Sequence, residues 1–350
     1  MIWQGLDIAS ALQKALSGYK PESVFILCSE GSLFHARKTL EDAYPIFIRR
    51  QFFVVPDGEK AKSLKTAEDI WTWLAEENCK RDALLINIGG GAVCDVGGFC
   101  ASNFMRGIKF WNIPSTLLAM VDASVGGKTG INLNGFKNYI GSFAKPSQVF
   151  INPQFIRTQS ADELLSGWAE VIKHGLIDGG ALWNRVNEGM PETKDSAAWL
   201  EIIVQNNAIK ARIVDQDFTE LGVRKLLNLG HTLGHALESM SLENSDINEP
   251  ISHGRAIAWG LLLETELSVA LKICEKEVLQ HLKSLIEPLY EKIIFTSQQV
   301  DNMLLWIKGD KKNTVDEVRL SLIRKVGDCV YDVSTDILQV KQIFLRHASH

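Results

Sequence analysis

The hydrophobic positions along the first 150 residues predict strands and helices in alternation. A helical pattern ends near Ala43, and a second helix is expected over 63–77, with Ser63 as its N-cap. Strands are expected at three short apolar runs, 24–29 (VFILCS), 52–55 (FFVV) and 83–89 (ALLINIG). Alternation of this kind predicts a parallel sheet with helices packed against it.

Strand signals nearly vanish from about residue 160, and helical periodicity dominates the rest of the chain. Helices are expected over 162–175, 195–215, 224–240, 254–273 and 275–287. A late hairpin is expected over 319–333 (RLSLIRKVGDCVYDV). We therefore predict an α/β domain over 1–160 and a mostly α-helical domain over 161–350.

Composition and charge exclude several classes of protein. The 350 residues are 46% hydrophobic and 23% charged, as in ordinary globular proteins. A net charge of −5 argues against a nucleic-acid-binding surface. No apolar run approaches the ~18 residues that a membrane-spanning helix needs. The N-terminus has no secretory pattern, and the six cysteines form no CxxC pair, so we expect a cytoplasmic protein with reduced thiols.

A glycine triplet at 89–91 follows the third predicted strand and precedes a helical stretch. Glycines at this position let the backbone approach a pyrophosphate, which the helix N-terminus also attracts. The usual GxGxxG spacing fails because Cys94 replaces the third glycine, and no acid follows about twenty residues later. The triplet favours nucleotide binding, and a glycine turn needed only for packing is the alternative.

The segment 113–138 contains a GGKTG sequence that is similar to a P-loop. The required GxxxxGK[ST] pattern fails because the residue five positions before Gly127 is not a glycine. A glycine loop that presents Lys128 and Asn138 to a phosphate or carboxylate is the favoured interpretation. A solvated basic loop is the alternative, as it is for the exposed lysines in GDKKN (309–313).

His231 and His235 lie four residues apart on an apolar, helix-like run over 224–235. That spacing places both imidazoles on one helix face, where they are candidate metal ligands or polar residues of a buried face. His253 follows in ISHGRA, and Glu170 lies in the predicted helix over 162–175. One carboxylate and two histidines are typical of a catalytic zinc site with one position left for substrate or water.

Seven sequence motifs between about residues 56 and 327 resemble the 3-dehydroquinate synthase family of sugar-phosphate cyclases. They are PDGEKAKS, GGGAVCDVGGFCASNFMRG, PSTLLAMVDASVGGKTGIN, FKNYIGSF, AEVIKHG, RKLLNLGHTLGHALE and SHG. The resemblance implies an NAD-binding α/β domain, a helical domain that binds zinc (or cobalt) and substrate, and a site in the cleft between them. It also implies a homodimer.

The motif positions assign expected roles to individual residues. Zinc ligands would be Glu170, His231 and His253, so that His235 moves from the candidate ligands to the substrate side. NAD-binding residues would be Glu59, Lys62, Gly90, Gly91, Ala92, Asp95, Ser115, Thr116, Leu118, Asp122, Lys128, Lys137, Phe155 and Thr158. Substrate-binding or catalytic residues would be Lys128, Asn138, Lys173, Lys210, Arg224, Asn228, His235 and Lys312, with Arg106 contributed by a neighbouring subunit.

The implied reaction converts 3-deoxy-D-arabino-heptulosonate 7-phosphate to 3-dehydroquinate and phosphate. NAD oxidises C5, phosphate is eliminated, NADH returns its hydride, and ring opening with aldol closure follows. Lysines and arginines would hold the two anionic ends of the substrate. His235 is the candidate for a proton relay, and the substrate phosphate would help to take the proton.

The sequence departs from the family pattern in four places. Arg255 replaces the acid that usually follows the second zinc histidine, and we expect its side chain to face outward in a packing role. The other departures are Ser115-Thr116 for a threonine pair, Thr158-Gln159-Ser160 for a TLP-like segment, and Ser29-Glu30-Gly31 on the adenine side.

Three alternatives remain open. Valiolone-type or 2-deoxy-scyllo-inosose synthases share the metal, NAD and early steps, but Lys210, Arg224 and Lys312 favour a carboxylated substrate. A metal-dependent alcohol or glycerol dehydrogenase would release NADH, and the long GGKTG segment argues against it. An inactive homologue kept as a binding protein would not need the complete set of matched metal and phosphate residues.

Overall fold

A computed structural model describes residues 1–43, 52–134, 136–243, 251–309 and 317–349. These residues form two compact units, Met1–Ser160 with Pro191–Ala211, and Ala161–Met190 with Arg212–His350. The segment 191–211, which the sequence assigns to the second domain, therefore packs with the first unit. The reason is specific hydrogen bonding, because the Asn206 and Asn207 side chains donate to the Val121 and Met120 carbonyls over 2.7 and 3.0 Å.

The first unit is built on a parallel sheet of six strands. In chain order its elements are β1 (Ile2–Gln4), α1 (Ile8–Leu16), β2 (Val24–Ser29), α2 (Leu33–Ala43), β3 (Phe52–Val55), α3 (Leu64–Glu76), β4 (Leu84–Gly89), α4 (Gly91–Asn103), β5 (Lys109–Pro114), β6 (Lys128–Leu133), β7 (Phe136–Phe143) and β8 (Gln148–Ile151). The sheet order is β1-β8-β5-β4-β2-β3, and every pairing in it is parallel. The predicted parallel sheet is confirmed.

Strands β2 and β4 are buried along all six of their residues, which explains their uninterrupted apolar sequences. Leu27 and Leu85 pack into a core that also contains Ile70 of α3 and Val96 of α4. Each such side chain contributes about 1.5–3 kcal/mol when it is fully buried. Helix α3 begins as predicted, because the Ser63 hydroxyl accepts the Thr66 N–H over 3.0 Å.

The sheet order reverses between β2 and β4. Strand β2 is followed by β3 on one side, whereas β4 is followed by β5 on the other. The carboxyl ends of the two strands are Ser29 and Gly89, and the Ser32 hydroxyl donates to the Ile88 carbonyl over 2.8 Å. Open α/β sheets bind ligands at such a reversal, so the glycine triplet lies where a nucleotide site is expected.

Gly126 and Gly127 lie in the expected glycine loop, and the segment after them forms an antiparallel hairpin of β6 and β7 that contains Lys128 and Asn138. Gly126 and Gly127 adopt φ values of 132° and 68° immediately before β6. The strands approach closely at Gly130, where a Cβ atom would lie 2.9 Å from the Ile140 carbonyl oxygen. This pairing depends on contacts between strands, which the local sequence pattern does not reveal.

The second unit is mostly helical, with one hairpin. The remaining elements are α5 (Ala161–Asp178), α6 (Ala181–Asn187), α7 (Ser196–Gln216), α8 (His231–Glu243), α9 (His253–Ala270), α10 (Lys276–Ile286), α11 (Ser297–Gly309), β9 (Glu317–Lys325), β10 (Asp328–Asp336) and α12 (Ile337–His347). Helix α7 begins in residues of the first unit. The late hairpin predicted from the sequence is confirmed.

The helix predicted over 224–240 begins later than expected. Val223–Asn228 forms a 3₁₀ turn, and α8 begins only at His231. Gly230 separates the two with a φ of 79°, which interrupts the α-helical backbone. A Cβ atom on Gly230 would lie 2.7 Å from the Leu261 side chain, so the close approach of α9 also requires glycine here.

Among the helices that the structure describes, each is too short or too polar to cross a bilayer.

Candidate active site

Three potential metal ligands lie together in the second unit. Glu170 comes from α5, whereas His231 and His253 are the first residues of α8 and α9. The Glu170 Oε1 atom lies 3.4 Å from the His231 Nε2 atom and 3.5 Å from the His253 Nε2 atom. These ligand atoms all lie within 4.8 Å of one another, which fits a single metal ion.

The Glu170 carboxylate is fully buried, and neither of its oxygens accepts a hydrogen bond of normal geometry from the described residues. It forms an ion pair with Lys173, whose side chain is 1% exposed. Burial alone would raise the pKa of Glu170, but Lys173 and the two histidines hold that pKa well below its usual range. The Oε1 atom of this ionised carboxylate faces both imidazoles and is a strong candidate metal ligand.

The two imidazoles are oriented by their second nitrogen atoms. The His231 Nδ1 atom lies 3.1 Å from the Leu229 carbonyl oxygen, which leaves its Nε2 atom facing Glu170. Burial and Lys173 lower the pKa of His231. Burial would also lower the pKa of His253, but Glu170 on one side and Glu238 on the other raise it to about 9. The Glu238 carboxylate lies 3.7 Å from the His253 Nδ1 atom, an arrangement typical of metal sites.

Two carboxylates that the sequence analysis did not identify help to position the candidate metal ligands His231 and His253. Glu238 is one, and Glu264 of α9 is the other. The fully buried Glu264 carboxylate accepts the Gly230 N–H over 2.5 Å and the Leu233 N–H over 3.1 Å, at the start of α8. The sequence signal for Glu264 is its position directly after an apolar run of α9. An acid buried in such a run needs hydrogen-bond partners.

His235 lies one turn beyond His231, as the four-residue spacing predicts. The His235 ring centroid is 5.2 Å from that of His231 and 6.0 Å from that of His253. His235 also forms, with Glu238 and His253, a second group whose ligand atoms lie within 4.8 Å of one another. The geometry alone therefore leaves His235 close enough to contact a metal ion or a substrate held by one.

A cavity of about 320 Å³ in the second unit adjoins this cluster. Its lining includes three residues expected from the sequence, Asn228, His231 and His235. It also includes Glu220 and Arg319, which the sequence reasoning missed. The Glu220 carboxylate accepts a 2.7 Å hydrogen bond from Asn228, and Glu220 has a φ of 61°, which is unusual for a non-glycine residue.

Arg224 is held rigidly in the turn before α8. Its guanidinium donates to the Phe218 carbonyl over 2.5 Å, and only 2% of the residue is exposed. The Asp217 carboxylate organises this turn by accepting N–H groups from Gly222 and Arg224 over 2.7 and 3.0 Å. Burial would raise the pKa of Asp217, but these backbone donors lower it.

Arg255, which replaces the usual acid, turns away from the ligands. Its guanidinium donates to the Glu291 and Lys292 carbonyls over 2.9 and 2.8 Å. The expected packing role of Arg255 is therefore confirmed.

In the first unit, many expected NAD-binding residues lie at the carboxyl ends of β4 and β5. Gly90 is the N-cap of α4, followed by Gly91 and Ala92 in its first turn. A Cβ atom on Gly91 would lie 3.2 Å from the Ala123 side chain. Ser115, Thr116 and Leu118 follow β5, where the Gln159 side chain donates to the Ser115 carbonyl over 3.3 Å. Backbone groups therefore line the N-terminus of α4, an arrangement that can bind a phosphate group.

A second group of expected residues surrounds Lys62. Its ammonium donates to the Asp95 carboxylate over 2.6 Å and to the Asn138 side chain, and it lies 3.9 Å from Glu59. Burial raises the pKa of Asp95, although the Lys62 ammonium opposes this. The structure therefore joins three expected cofactor residues to one expected substrate residue.

The other expected residues of the first unit occupy several places. Asp122 lies in a π-helical turn, Ala119–Ala123, and accepts the Lys210 ammonium over 2.5 Å. The Thr158 hydroxyl lies 3.0 Å from the His35 Nε2 atom, and Phe155 packs against the same imidazole. Three further residues are exposed to solvent: Arg106, Lys128 and Lys137. Lys312 lies outside the described residues.

Solved structures with the same fold include sugar-phosphate cyclases and alcohol dehydrogenases. A 2-deoxy-scyllo-inosose synthase complexed with carbaglucose-6-phosphate, NAD+ and Co2+ superposes with a TM-score of 0.85 at 19% identity, covering 99% of this chain and 96% of that chain. The 2-epi-5-epi-valiolone synthase of Streptomyces hygroscopicus, with NAD+ and Zn2+ bound, gives 0.81 at 22%, covering 99% and 95%. NADH-dependent butanol dehydrogenase A of Thermotoga maritima gives 0.68 at 12%, covering 100% and 96%. The fold is the one that these two classes of enzyme share.

Sequence comparison identifies the family. The model for the 3-dehydroquinate synthase N-terminal domain matches residues 52–166, and that for the C-terminal domain matches 167–313. The 3-dehydroquinate synthase of Parabacteroides distasonis is 40% identical over 322 residues, which cover 92% of this chain and 90% of the relative. That of Clostridium tetani is 36% identical over 325 residues, covering 90% and 84%. The chain belongs to the 3-dehydroquinate synthase family.

Proposed function

We propose that this protein converts 3-deoxy-D-arabino-heptulosonate 7-phosphate to 3-dehydroquinate and phosphate, with NAD and zinc (or cobalt) as its cofactors. Family membership supports the reaction. The observation that carries the proposal is the buried, ionised Glu170 facing His231 and His253, beside a cavity that Asn228 and His235 line. A small anionic substrate suits this chemistry better than nucleic acid or a membrane surface.

The residues of the cluster fit a divalent metal ion. The Glu170 Oε2 atom is paired with the Lys173 ammonium, whereas the buried Oε1 atom accepts no hydrogen bond from the described residues, so a metal ion would satisfy it. Glu170, His231 and His253 would hold the ion, and bound zinc would supply a Lewis acid that polarises substrate oxygens. Glu238 and the Leu229 carbonyl would keep the imidazole rings oriented.

The residues of the first unit fit a dinucleotide. The backbone at Gly90 and Gly91 opens the N-terminus of α4, where side chains would crowd the approach of a phosphate. Glu59 and Lys62 would contact the adenosine ribose, and the residues after β5 would line the same cofactor. Held by these residues, NAD would supply reversible hydride transfer for the reaction.

Buried cations would bind the anionic ends of the substrate. Lys173 and Arg224 are 1% and 2% exposed in the second unit, and Lys210 is 5% exposed in the first. Each already has an oxygen partner, which fixes its side chain before a substrate arrives. Lys128, Asn138, Asn228 and Lys312 would add further contacts. Such preorganisation favours charge-assisted hydrogen bonds to carboxylate and phosphate.

His235 would move a proton at a substrate hydroxyl. Its ring lies beside two metal-binding imidazoles and lines the cavity. Imidazole exchanges protons near neutral pH, which suits a relay. The proposal includes a homodimer in which Arg106 reaches the phosphate from a neighbouring subunit, and a cytoplasmic location.

The choice of substrate tests this proposal. Purified protein with NAD and zinc is offered heptulosonate 7-phosphate, sedoheptulose 7-phosphate or glucose 6-phosphate, and the products are identified by mass spectrometry. We expect 3-dehydroquinate from the first sugar phosphate and no carbocycle from the other two. A carbocycle formed only from a sugar phosphate without a carboxylate would contradict the proposal and indicate a related cyclase.

A further inference from the structure

The β6–β7 hairpin contains a bulge at the point where it meets the Lys62 group. Ile131 pairs with Ile140 and Leu133 pairs with Phe136, so that Asn132 alone lies opposite three residues of β7. The middle residue of the three is Asn138, which adopts a φ of 52°. Bulges beside functional sites commonly redirect a side chain, and this one redirects an expected substrate residue.

The Asn132 amide contacts two residues with different expected roles. Its carbonyl oxygen accepts the Asn138 N–H over 2.8 Å, and its amino group donates to the Glu59 carboxylate over 2.7 Å. The two partners fix the orientation of the amide, because one is a donor and the other accepts only. The Asn132 N–H also donates to the Lys62 carbonyl over 2.8 Å, which anchors the residue itself.

Asn138 is held from two sides. Asn132 binds its backbone N–H, and the Lys62 ammonium binds its side-chain oxygen. Asparagine enters the left-handed region more readily than most non-glycine residues, and the surrounding contacts hold Asn138 in it. The hydrogen bond from Asn132 is one of the contacts that impose it here.

We propose that Asn132 is a positioning residue that couples the NAD side of the first unit, through Glu59, to the substrate side, through Asn138. This inference rests on the proposed function for the roles of those two residues. Because one amide serves both partners, a change that breaks only one of its hydrogen bonds weakens binding on one side. A change that breaks both weakens binding on both sides and removes the coupling between them.

Two substitutions separate the contacts. Asn132→Asp keeps an acceptor for the Asn138 N–H but places a carboxylate against Glu59. Asn132→Ala removes both contacts. NAD affinity is measured without substrate from the quenching of protein fluorescence, and the KM for the heptulosonate phosphate is measured at saturating NAD. Asn134→Asp, the same chemical change at an exposed position of the hairpin, is the matched control.

We expect Asn132→Asp to raise the Kd for NAD about tenfold and to leave the KM for the substrate within about twofold, since it breaks one charge-assisted hydrogen bond. Asn132→Ala is expected to raise both constants, and Asn134→Asp neither. Circular dichroism and the Tm check that each variant folds. Compared with Asn132→Ala, Asn132→Asp should restore the KM for the substrate but not the Kd for NAD. A residue with a merely structural role would not separate the two constants in this way.

Two results would overturn the inference. One is an unchanged Kd for NAD in folded Asn132→Asp, and the other is an equal loss of NAD and substrate binding in that variant. A wild-type protein that binds NAD but releases no phosphate contradicts the proposed function instead. In that case the ratio of NAD Kd values between Asn132→Asp and wild type still decides whether Asn132 supports the NAD side.

Discussion

Lys173 lies one helical turn after Glu170 on α5, and its ammonium forms an ion pair with the carboxylate that faces His231 and His253. Both side chains are almost completely removed from solvent. A buried pair of this kind contributes little net stability, but breaking it by removing one partner costs about 3–5 kcal/mol. The arrangement therefore places a fixed cation and a fixed anion at the centre of the proposed metal site.

Removal of the Glu170 charge is expected to abolish zinc binding. In Glu170→Gln the amide is a poor ligand, and Lys173 loses its anionic partner, so the free energy of unfolding also falls. Zinc is measured by atomic absorption after dialysis. Asp162→Asn, in the exposed first turn of the same helix, is the control that retains zinc. A full zinc content in Glu170→Gln would remove Glu170 from the ligand set.

Lys128 is expected to act in turnover and not in metal binding. Lys128→Ala should lower kcat/KM by about 100-fold, because a charge-assisted hydrogen bond in a transition state is worth ~3 kcal/mol. Its zinc content should stay at the wild-type level. Lys109→Ala, an exposed lysine at the start of β5, serves as the control. Turnover near wild type in Lys128→Ala would mean that Lys128 is only a surface lysine.

Glu264 is expected to stabilise the start of α8, on which His231 stands. Glu264→Gln loses the charge that accepts the Gly230 and Leu233 N–H groups. Hydrogen bonds to a buried charge contribute about 1.5–3 kcal/mol each, so the free energy of unfolding in urea should fall by roughly 2–4 kcal/mol. The exposed change Glu287→Gln should have little effect. Equal stability of the two variants would refute this role.

The C-terminal helix gives a prediction about pH. The Glu266 carboxylate accepts Arg346 and His347 side chains of α12 over 2.9 and 2.8 Å. Burial would raise the pKa of Glu266, but these two partners lower it. A lowered pKa in the folded state stabilises the protein above the unfolded pKa, and this stabilisation is lost as the pH falls through the folded pKa.

Glu266→Gln should therefore be less stable than wild type at pH 7 by about 1 kcal/mol. The difference should shrink as the pH falls below the ordinary glutamate pKa of about 4.3, because the unfolded wild-type chain then takes up the proton more readily than the folded one. Urea unfolding at a series of pH values measures both free energies. A difference that stays constant down to pH 3 would contradict the ion-pair origin of this stabilisation.

The sequence predicted the sheet well because its central strands are buried on both faces. Continuous apolar runs such as 24–29 and 83–89 have no other common explanation when glycines and helical patterns bound them. The metal-ligand candidates Glu170, His231 and His253 were equally visible, because few residue types bind zinc and the family motifs fix their order.

Other features could not be predicted because they depend on tertiary contacts. Helix α8 begins at His231 because Gly230 is left-handed and packs under α9, which local periodicity does not reveal. Segment 191–211 joins the first unit through the Asn206 and Asn207 side chains. The partners of Glu264 and Asn132 are likewise distant in sequence, and only folding brings them together.

The most direct test of the central proposal is phosphate release from 3-deoxy-D-arabino-heptulosonate 7-phosphate with catalytic NAD, before and after treatment with a chelator. We expect release of phosphate without net accumulation of NADH, loss of activity on chelation, and recovery of activity with zinc. Absorbance at the NADH wavelength and a colorimetric phosphate assay report both quantities in one sample. Stoichiometric NADH in solution without phosphate release would contradict it and indicate a dehydrogenase.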